Sequence, residues 1–354
     1  MAYSMFPFLG PTLGPICGNF LVANAGRRWV DTLCTLYFAP MFILGVFILP
    51  ETYAPYILRR RTARLSAETG NVIISKLDMG VPRKTLASTL TTEIVRPMLM
   101  SVLEPISTVM AIYAAIIYRI LYLISAAFPI IFIDDRGWSQ GLSGLAYVGI
   151  MIGQIIAVPV YVVLEMKYRK KIATVASTPE MRLEPAMYGA VMIPVSLFWF
   201  AWTSYTSIPW IVGLIGTIFF GLGNVLVFIA LMNYLIDTYS LYAATASACN
   251  AIFRALFGCA FPLFTTYMYQ NLGAQWASSI PAFLSLVFVP QPFVFLKIGP
   301  GLRARSKFAN EAKALLAKMQ EAREKVEEKT KDGKLTKLGP EVLTTCRNSD
   351  NSES

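Results

Sequence analysis

Residues 10–18 read Gly10-Pro11-Thr12-Leu13-Gly14-Pro15-Ile16-Cys17-Gly18. Glycine returns every fourth residue, so in a helix Gly10, Gly14 and Gly18 fall on one face. Such a face lets a neighbouring backbone come close, a device of membrane helices, which have no water to drive them together. Pro11 and Pro15 each remove an intrahelical hydrogen bond and bend the rod. The string lies inside an apolar run at about residues 3–24, and a helix of about 20 residues crosses the hydrocarbon core. The expectation is a bent, glycine-faced span that packs tightly and rocks against its partner.

The rest of the chain has the same character. Of 354 residues, 55% are hydrophobic and only 15% charged, against about 25% charged in soluble domains. A soluble fold of this length has no interior large enough for so many apolar side chains, and the composition also excludes disorder, collagen-like repeats and a disulfide scaffold. Seven more runs reach spanning length: residues 31–50, 104–133, 142–165, 186–204, 210–236, 243–269 and 274–297. The fold class is therefore all-α, a polytopic transmembrane helix bundle, and eight crossings put both termini on one side.

Charge decides which side. Residues 51–97 carry Arg59, Arg60, Arg61, Arg64, Lys76, Arg83, Lys84 and Arg96, and residues 166–185 carry Lys167, Arg169, Lys170, Lys171 and Arg182. Lys297, Arg303, Arg305 and Lys307 come after the last run, whereas the alternate connections hold Arg27 and Arg28, then Asp134, Asp135 and Arg136, and then no charge. Positive-inside bias places both termini in the cytoplasm, and the net charge of +10 reads as cytoplasmic loops, with no nucleic acid as partner. Residues 300–354 hold 12 of the 31 basic and 9 of the 21 acidic groups. There, 306–331 has helical spacing with charges of both signs, and the remainder is polar and expected to be disordered. The start has no basic n-region and no cleavable signal. It looks like the interior of a bundle whose upstream neighbours are missing.

Few residues can do chemistry. There is no histidine, and Cys17, Cys34, Cys249, Cys259 and Cys346 show no CxxC spacing. They read as small buried hydrophobes. No metal cluster, nucleophile–base pair or phosphate-binding GxxxxGK[ST] loop emerges, so an enzyme, a cofactor site and a self-contained ATP pump are not expected. Two arginines lie inside predicted spans. Arg254 is about eleven residues into its helix, roughly 16 Å. A charge at that depth costs about 2.5–3.5 kcal/mol and needs a polar cavity or a partner. Coupling to substrate and a structural bond to helix carbonyls are both open for Arg254, and the same alternatives apply to Arg119. Glu104 and Asp237 are the candidate proton carriers, although each is shallow and also fits a helix-end cap. Gln154, Asn224, Asn233 and Asn250 can hydrogen-bond in a cavity. Tyr113, Tyr118, Tyr122, Phe198, Trp199 and Trp202 can stack amphipathic molecules or simply meet lipid and core.

GPTLGPICG resembles the signature of the fifth helix in drug:proton antiporters of the major facilitator superfamily. LPETYAP (49–55), with Leu58 and a basic run ending Arg64-Leu65 after it, is similar to the segment after the sixth helix in fungal members. Arg96-Pro97, Glu104-Pro105, Phe128-Pro129, Gly137-Trp138-Ser139 and Gly144-Leu145 resemble the region of the seventh and eighth. Pro179-Glu180, Arg182-Leu183 and FWFAW (198–202) resemble the ninth. NYLIDTY (233–239), Ser247-Ala248, Arg254 and FPLF (261–264) resemble the tenth and eleventh. The likeness covers about residues 5–307, and the subgroup it resembles is that of the fungal polyamine, fluconazole and toxin exporters. Asn19, in place of a motif glycine, and Arg119, at a position usually small, depart from the pattern.

The resemblance implies twelve spans in two halves, of which this chain supplies about the last eight, lacking about the first four. On that reading residues 1–50 are the last two helices of the first half and 51–103 the cytoplasmic central loop. Residues 104–299 are then the second half and 300–354 a cytoplasmic charged tail. It implies a monomer in the fungal plasma membrane that exports small amphipathic molecules in exchange for protons, with substrate, lipid and protons as its partners. A second reading stays open: a non-transporting remnant, or an incomplete gene model, of such a transporter.

Overall fold

The computed structural model describes residues 2–51, 54–69, 86–172 and 178–314. The helices are α1 (Ala2–Ala25), α2 (Arg27–Ile48), α3 (Ala54–Thr69), α4 (Leu86–Leu103), α5 (Pro105–Phe128), α6 (Gln140–Ser143), α7 (Tyr147–Ile172), α8 (Glu184–Thr203), α9 (Trp210–Tyr239), α10 (Ala243–Phe288) and α11 (Pro290–Arg305). Among the described residues, seven helices are long and apolar enough to cross a membrane: Arg27–Ile48, Pro105–Asp134, Gln140–Lys170, Pro179–Thr203, Trp210–Tyr239, Ala243–Thr265 and Tyr267–Arg305. These fall on seven of the eight expected spans. The first, α1, has spanning length at 24 residues and is not among the seven.

Segment 51–103, expected as a loop, is helical over α3 and α4. Lys76, Arg83 and Lys84 lie outside the described residues. Of the tail, 307–314 is helical as expected, and residues 315–354, with Cys346, lie outside the described residues.

Contacts divide the chain into two compact units. One holds Met1–Leu33 and Glu93–Ala312, the other Cys34–Thr92 and Lys313–Ser354. The second unit takes α2 from Cys34 onward together with α3, and no residue of α2 is buried.

The first unit is built round α9, 72% of whose most apolar window is buried and which packs against α5, α7, α8 and α10. Glycine permits these approaches. A Cβ on Gly153 would meet the Ile218 carbonyl oxygen at 2.0 Å, and one on Gly221 the Ile150 oxygen at 2.3 Å, so the α7 and α9 backbones touch. Gly189 and the carbonyl of Gly223 do the same between α8 and α9. Tyr113, Ile117, Phe128, Phe220 and Tyr234 fill the interior. Leu263 (76% exposed) and Val287 (73%) stand outside, as side chains do that face hydrocarbon.

The ends are formed by polar turns. A π-helical segment, Pro129–Asp134, extends α5, and Arg136 beyond it donates to the carbonyls of Tyr205 (2.6 Å) and Ile208 (2.9 Å). That draws the α5–α6 and α8–α9 connections together. Gly273 breaks α10 at φ 73°, ψ 163°, a conformation open to glycine and costly for other residues. The break falls where a connection between two spans is expected.

Candidate functional site

The glycine stripe of α1 does not meet a backbone. Among the described residues nothing lies within 4 Å of a Cβ built on Gly10, Gly14 or Gly18, which corrects the close approach expected of that face. The packed face is the adjoining one. Phe8 and Thr12 are fully buried. The Pro15 carbonyl, Asn19 and Phe20 fit against Gly144 and Gly141, so the missing side chains belong to the partner. Pro11 and Pro15 lie within a helix that runs unbroken from Ala2 to Ala25.

On that face Thr12 Oγ1 donates to Gln154 Oε1 at 3.0 Å, tying α1 to α7. Among the described residues the Gln154 amide nitrogen has no partner. Asn224 Nδ2 donates to the Ile117 carbonyl at 3.4 Å, and among the described residues its oxygen is unpaired, as are both polar atoms of Asn250. All three side chains are fully buried. In apolar surroundings each unmet polar atom costs about 1–3 kcal/mol.

One helical turn from these asparagines, on α9 and α10, stand Phe228 and Arg254. Arg254 is the twelfth of the 23 residues in Ala243–Thr265, and Arg119 the fifteenth of the 30 in Pro105–Asp134. Both sit at the middle of their spans. The structure brings them together. Arg119 Nε and Nη2 donate to the Arg254 backbone oxygen at 3.1 and 2.7 Å. Gly258 makes this possible, since a Cβ there would lie 2.0 Å from the Arg119 guanidinium. The Arg254 guanidinium lies 5.4 Å from the Tyr118 ring centre and 5.3 Å from that of Phe228. Arg119 lies 5.8 Å from Tyr118 and 5.1 Å from Tyr122. Phe8 closes the group edge-on to Phe228 at 4.8 Å and to Tyr118 at 6.2 Å.

A second set gathers at one end of the bundle. Arg182 donates to Asp237 Oδ2 at 2.8 Å and to both oxygens of Glu165 at 2.8 and 2.9 Å, and its guanidinium lies 4.4 Å from the Tyr168 ring centre. Asn233 joins through Tyr161, which accepts its amide hydrogen at 2.7 Å. Glu104 is buried elsewhere in the same unit. It accepts from Tyr239 Oη at 3.1 Å and from the Phe308 backbone N–H at 3.0 Å, which fastens the start of α5 to the end of α9 and to helix 307–314. Buried Glu180 pairs with Arg303 at 3.5 Å. Asp237, Asn233 and Glu104 are thus fixed by neighbours at a helix end.

Glu165, central to this network, was not singled out by sequence reasoning, and Arg182, Glu180 and Arg303 stood out there only as charges or family likeness. The available signal was a carboxylate with Arg169 four residues later, with which Glu165 also pairs at 3.6 Å. Of the aromatic candidates, Tyr118 and Tyr122 belong to the mid-span cluster. Tyr113 stacks on Phe288, Phe198 meets Phe283, Trp202 meets Trp276, and Trp199 donates to the Val212 carbonyl.

The buried core thus holds amide atoms with no partner among the described residues, together with two mid-span cations. The model of the Major Facilitator Superfamily matches residues 2–262. The chain belongs to the major facilitator superfamily. It is 48% identical over 320 residues to "Efflux pump FUB11" of Gibberella moniliformis, covering 90% of this chain and 54% of that protein. It is 46% identical over 326 residues to "Major facilitator superfamily multidrug transporter mdrA" of Aspergillus fumigatus (91% and 54%). It is 44% identical over 320 residues to "Major facilitator-type transporter sorT" of Penicillium rubens (90% and 61%). The chain spans a little over half the length of these curated relatives. No solved structure matches it. As a major facilitator chain it is a multi-pass membrane protein of a transport family, not an enzyme, and it is similar to fungal efflux proteins.

Proposed function

We propose that this chain carries small amphipathic molecules out of the cell in exchange for protons. The observation that carries the reading is the pair Arg119–Arg254 at mid-membrane beside unpaired buried amides. Charged and polar groups at that depth are expensive unless they face a polar cavity or a partner, and where they occur they mark transport pathways; major facilitator carriers bind near the midplane. The names of the relatives, efflux pump and multidrug transporter, give the direction.

On this reading residues 104–299 form the six-helix second half, residues 1–50 two helices of the first, 51–103 the central connection and 300–354 the tail. The basic segments place both termini in the cytoplasm, with the protein acting as a monomer in the plasma membrane. The network of Glu165, Arg182 and Asp237 then lies on the cytoplasmic side, where it holds α7 to α9 while other helices rock. Of the candidate proton carriers, Asp237 stays held in this network, while Glu104 is an end fixture whose pairing to Tyr239 and Phe308 changes with the rocking.

The test is accumulation of a fluorescent amphipathic dye in yeast stripped of its own exporters. Cells expressing the full chain should hold less dye than empty-vector cells, and a protonophore should abolish the difference. Equal accumulation at confirmed membrane abundance contradicts the proposal and favours the non-transporting alternative.

A further inference from the structure

We propose that the cluster of Arg119, Arg254, Phe8, Tyr118 and Phe228 is a binding site for an organic anion: a small acid in its ionised form, with an apolar body. The inference rests on the carrier function proposed for the chain and narrows it to the charge of the ligand.

Two guanidiniums share the neighbourhood of a single ring, at 5.8 and 5.4 Å from the centre of Tyr118. A guanidinium stays protonated in any protein environment, so the site carries two positive charges at mid-membrane. Among the described residues nothing neutralises them. The ion pairs formed there by Glu165, Asp237 and Glu180 lie at the bundle end, and none reaches Arg119 or Arg254. The charged or titratable groups facing Arg254 are Tyr118, Arg119 and Tyr122. No carboxylate is among them.

The two arginines are not equivalent. Arg119 commits its Nε and one terminal nitrogen to the Arg254 carbonyl, which anchors it as a fixed source of positive potential. Arg254 Nε is buried and, among the described residues, without a partner, so it is the one left to donate. Planar donors of this kind match a carboxylate in two parallel bonds. Around it, Phe8 and Phe228 pack edge to face and Tyr118 leans on both, a wall that suits an aromatic or aliphatic body. A cationic amphiphile meets the same wall but is repelled by both guanidiniums. A neutral one gains only the apolar contact.

The test compares one body in three charge states. The full chain in lipid nanodiscs is equilibrated by dialysis at pH 7.4 with 2-naphthoate, 2-naphthamide or 2-naphthylmethylammonium, with protein-free nanodiscs as the blank. Naphthoate should bind at least tenfold more tightly than either analogue. Arg254→Gln should bring naphthoate down to the level of the amide. Gly258→Ala, whose methyl group pushes aside only the end of the flexible Arg119 side chain, should weaken naphthoate several-fold, and it keeps the question decidable should Arg254→Gln fail to fold. Equal affinity for the three probes, or an anion preference that survives Arg254→Gln, overturns the proposal. Binding by none of them also overturns it, while the dye-accumulation assay decides the carrier function separately.

Discussion

The Arg119 guanidinium clasps the backbone carbonyl of Arg254 at 2.7 and 3.1 Å, in the space that Gly258 leaves open. The bond satisfies Arg119 without an anion. It adds little to folding, because burying the cation costs about 2.5–3.5 kcal/mol and charged hydrogen bonds return about 1.5–3 kcal/mol. Arg119→Leu should therefore change stability by no more than about 1 kcal/mol, read as the melting temperature in detergent. A large loss would show that Arg119 is a structural clamp.

Arg182→Leu should behave in the opposite way. It removes the shared partner of Glu165 and Asp237, whose side chains are 11% and 34% exposed. Breaking a buried pair costs about 3–5 kcal/mol, and the partial exposure here lowers that to about 2 kcal/mol. A double-mutant cycle of Arg182→Gln with Glu165→Gln should show coupling of about 1 kcal/mol or more. Additive losses would mean that the pair does not act as one.

The same substitution should have different effects at two glycines. Gly153→Ala forces a methyl group onto the Ile218 carbonyl, which is backbone and cannot swing away. Overpacking of this kind costs about 1–3 kcal/mol. Gly14→Ala meets nothing within 4 Å among the described residues and should stay within about 0.5 kcal/mol. Size-exclusion profiles after graded heating separate the two, and a severe defect in Gly14→Ala would restore the tight glycine face to α1.

Thr12→Val deletes the hydrogen bond to Gln154. Interhelical bonds in membranes average about 0.6 kcal/mol and reach about 1.7. The expected loss of thermal stability in detergent is therefore modest, with the protein still inserted at normal abundance.

Apolar run length alone located the helices that cross, because the bilayer sets one length for all of them. It missed where α1 packs, since spacing marks a smooth face without saying which neighbour fills it. The true close approaches, Gly149 and Gly153 against α9 and Gly221 against α7, lie on helices whose partnership is a tertiary fact. The bundle-end network was hidden for the same reason: Arg182 is 17 residues from Glu165 and 55 from Asp237. Arg119 and Arg254, 135 residues apart, were each legible as an intramembrane cation. That they meet was not.

If the chain is a carrier, these two arginines line a water-filled path through the membrane. The most direct measurement is thiol labelling of Tyr122→Cys in a chain whose five cysteines are replaced by serine. Tyr122 lies against Arg119 and is 39% exposed, and charged methanethiosulfonates react only with thiols that water reaches. The expected result is rapid labelling by the anionic reagent, slower labelling by the cationic one, and protection by 2-naphthoate. No labelling by either reagent from either side would place Tyr122 in lipid or closed core and contradict a path there.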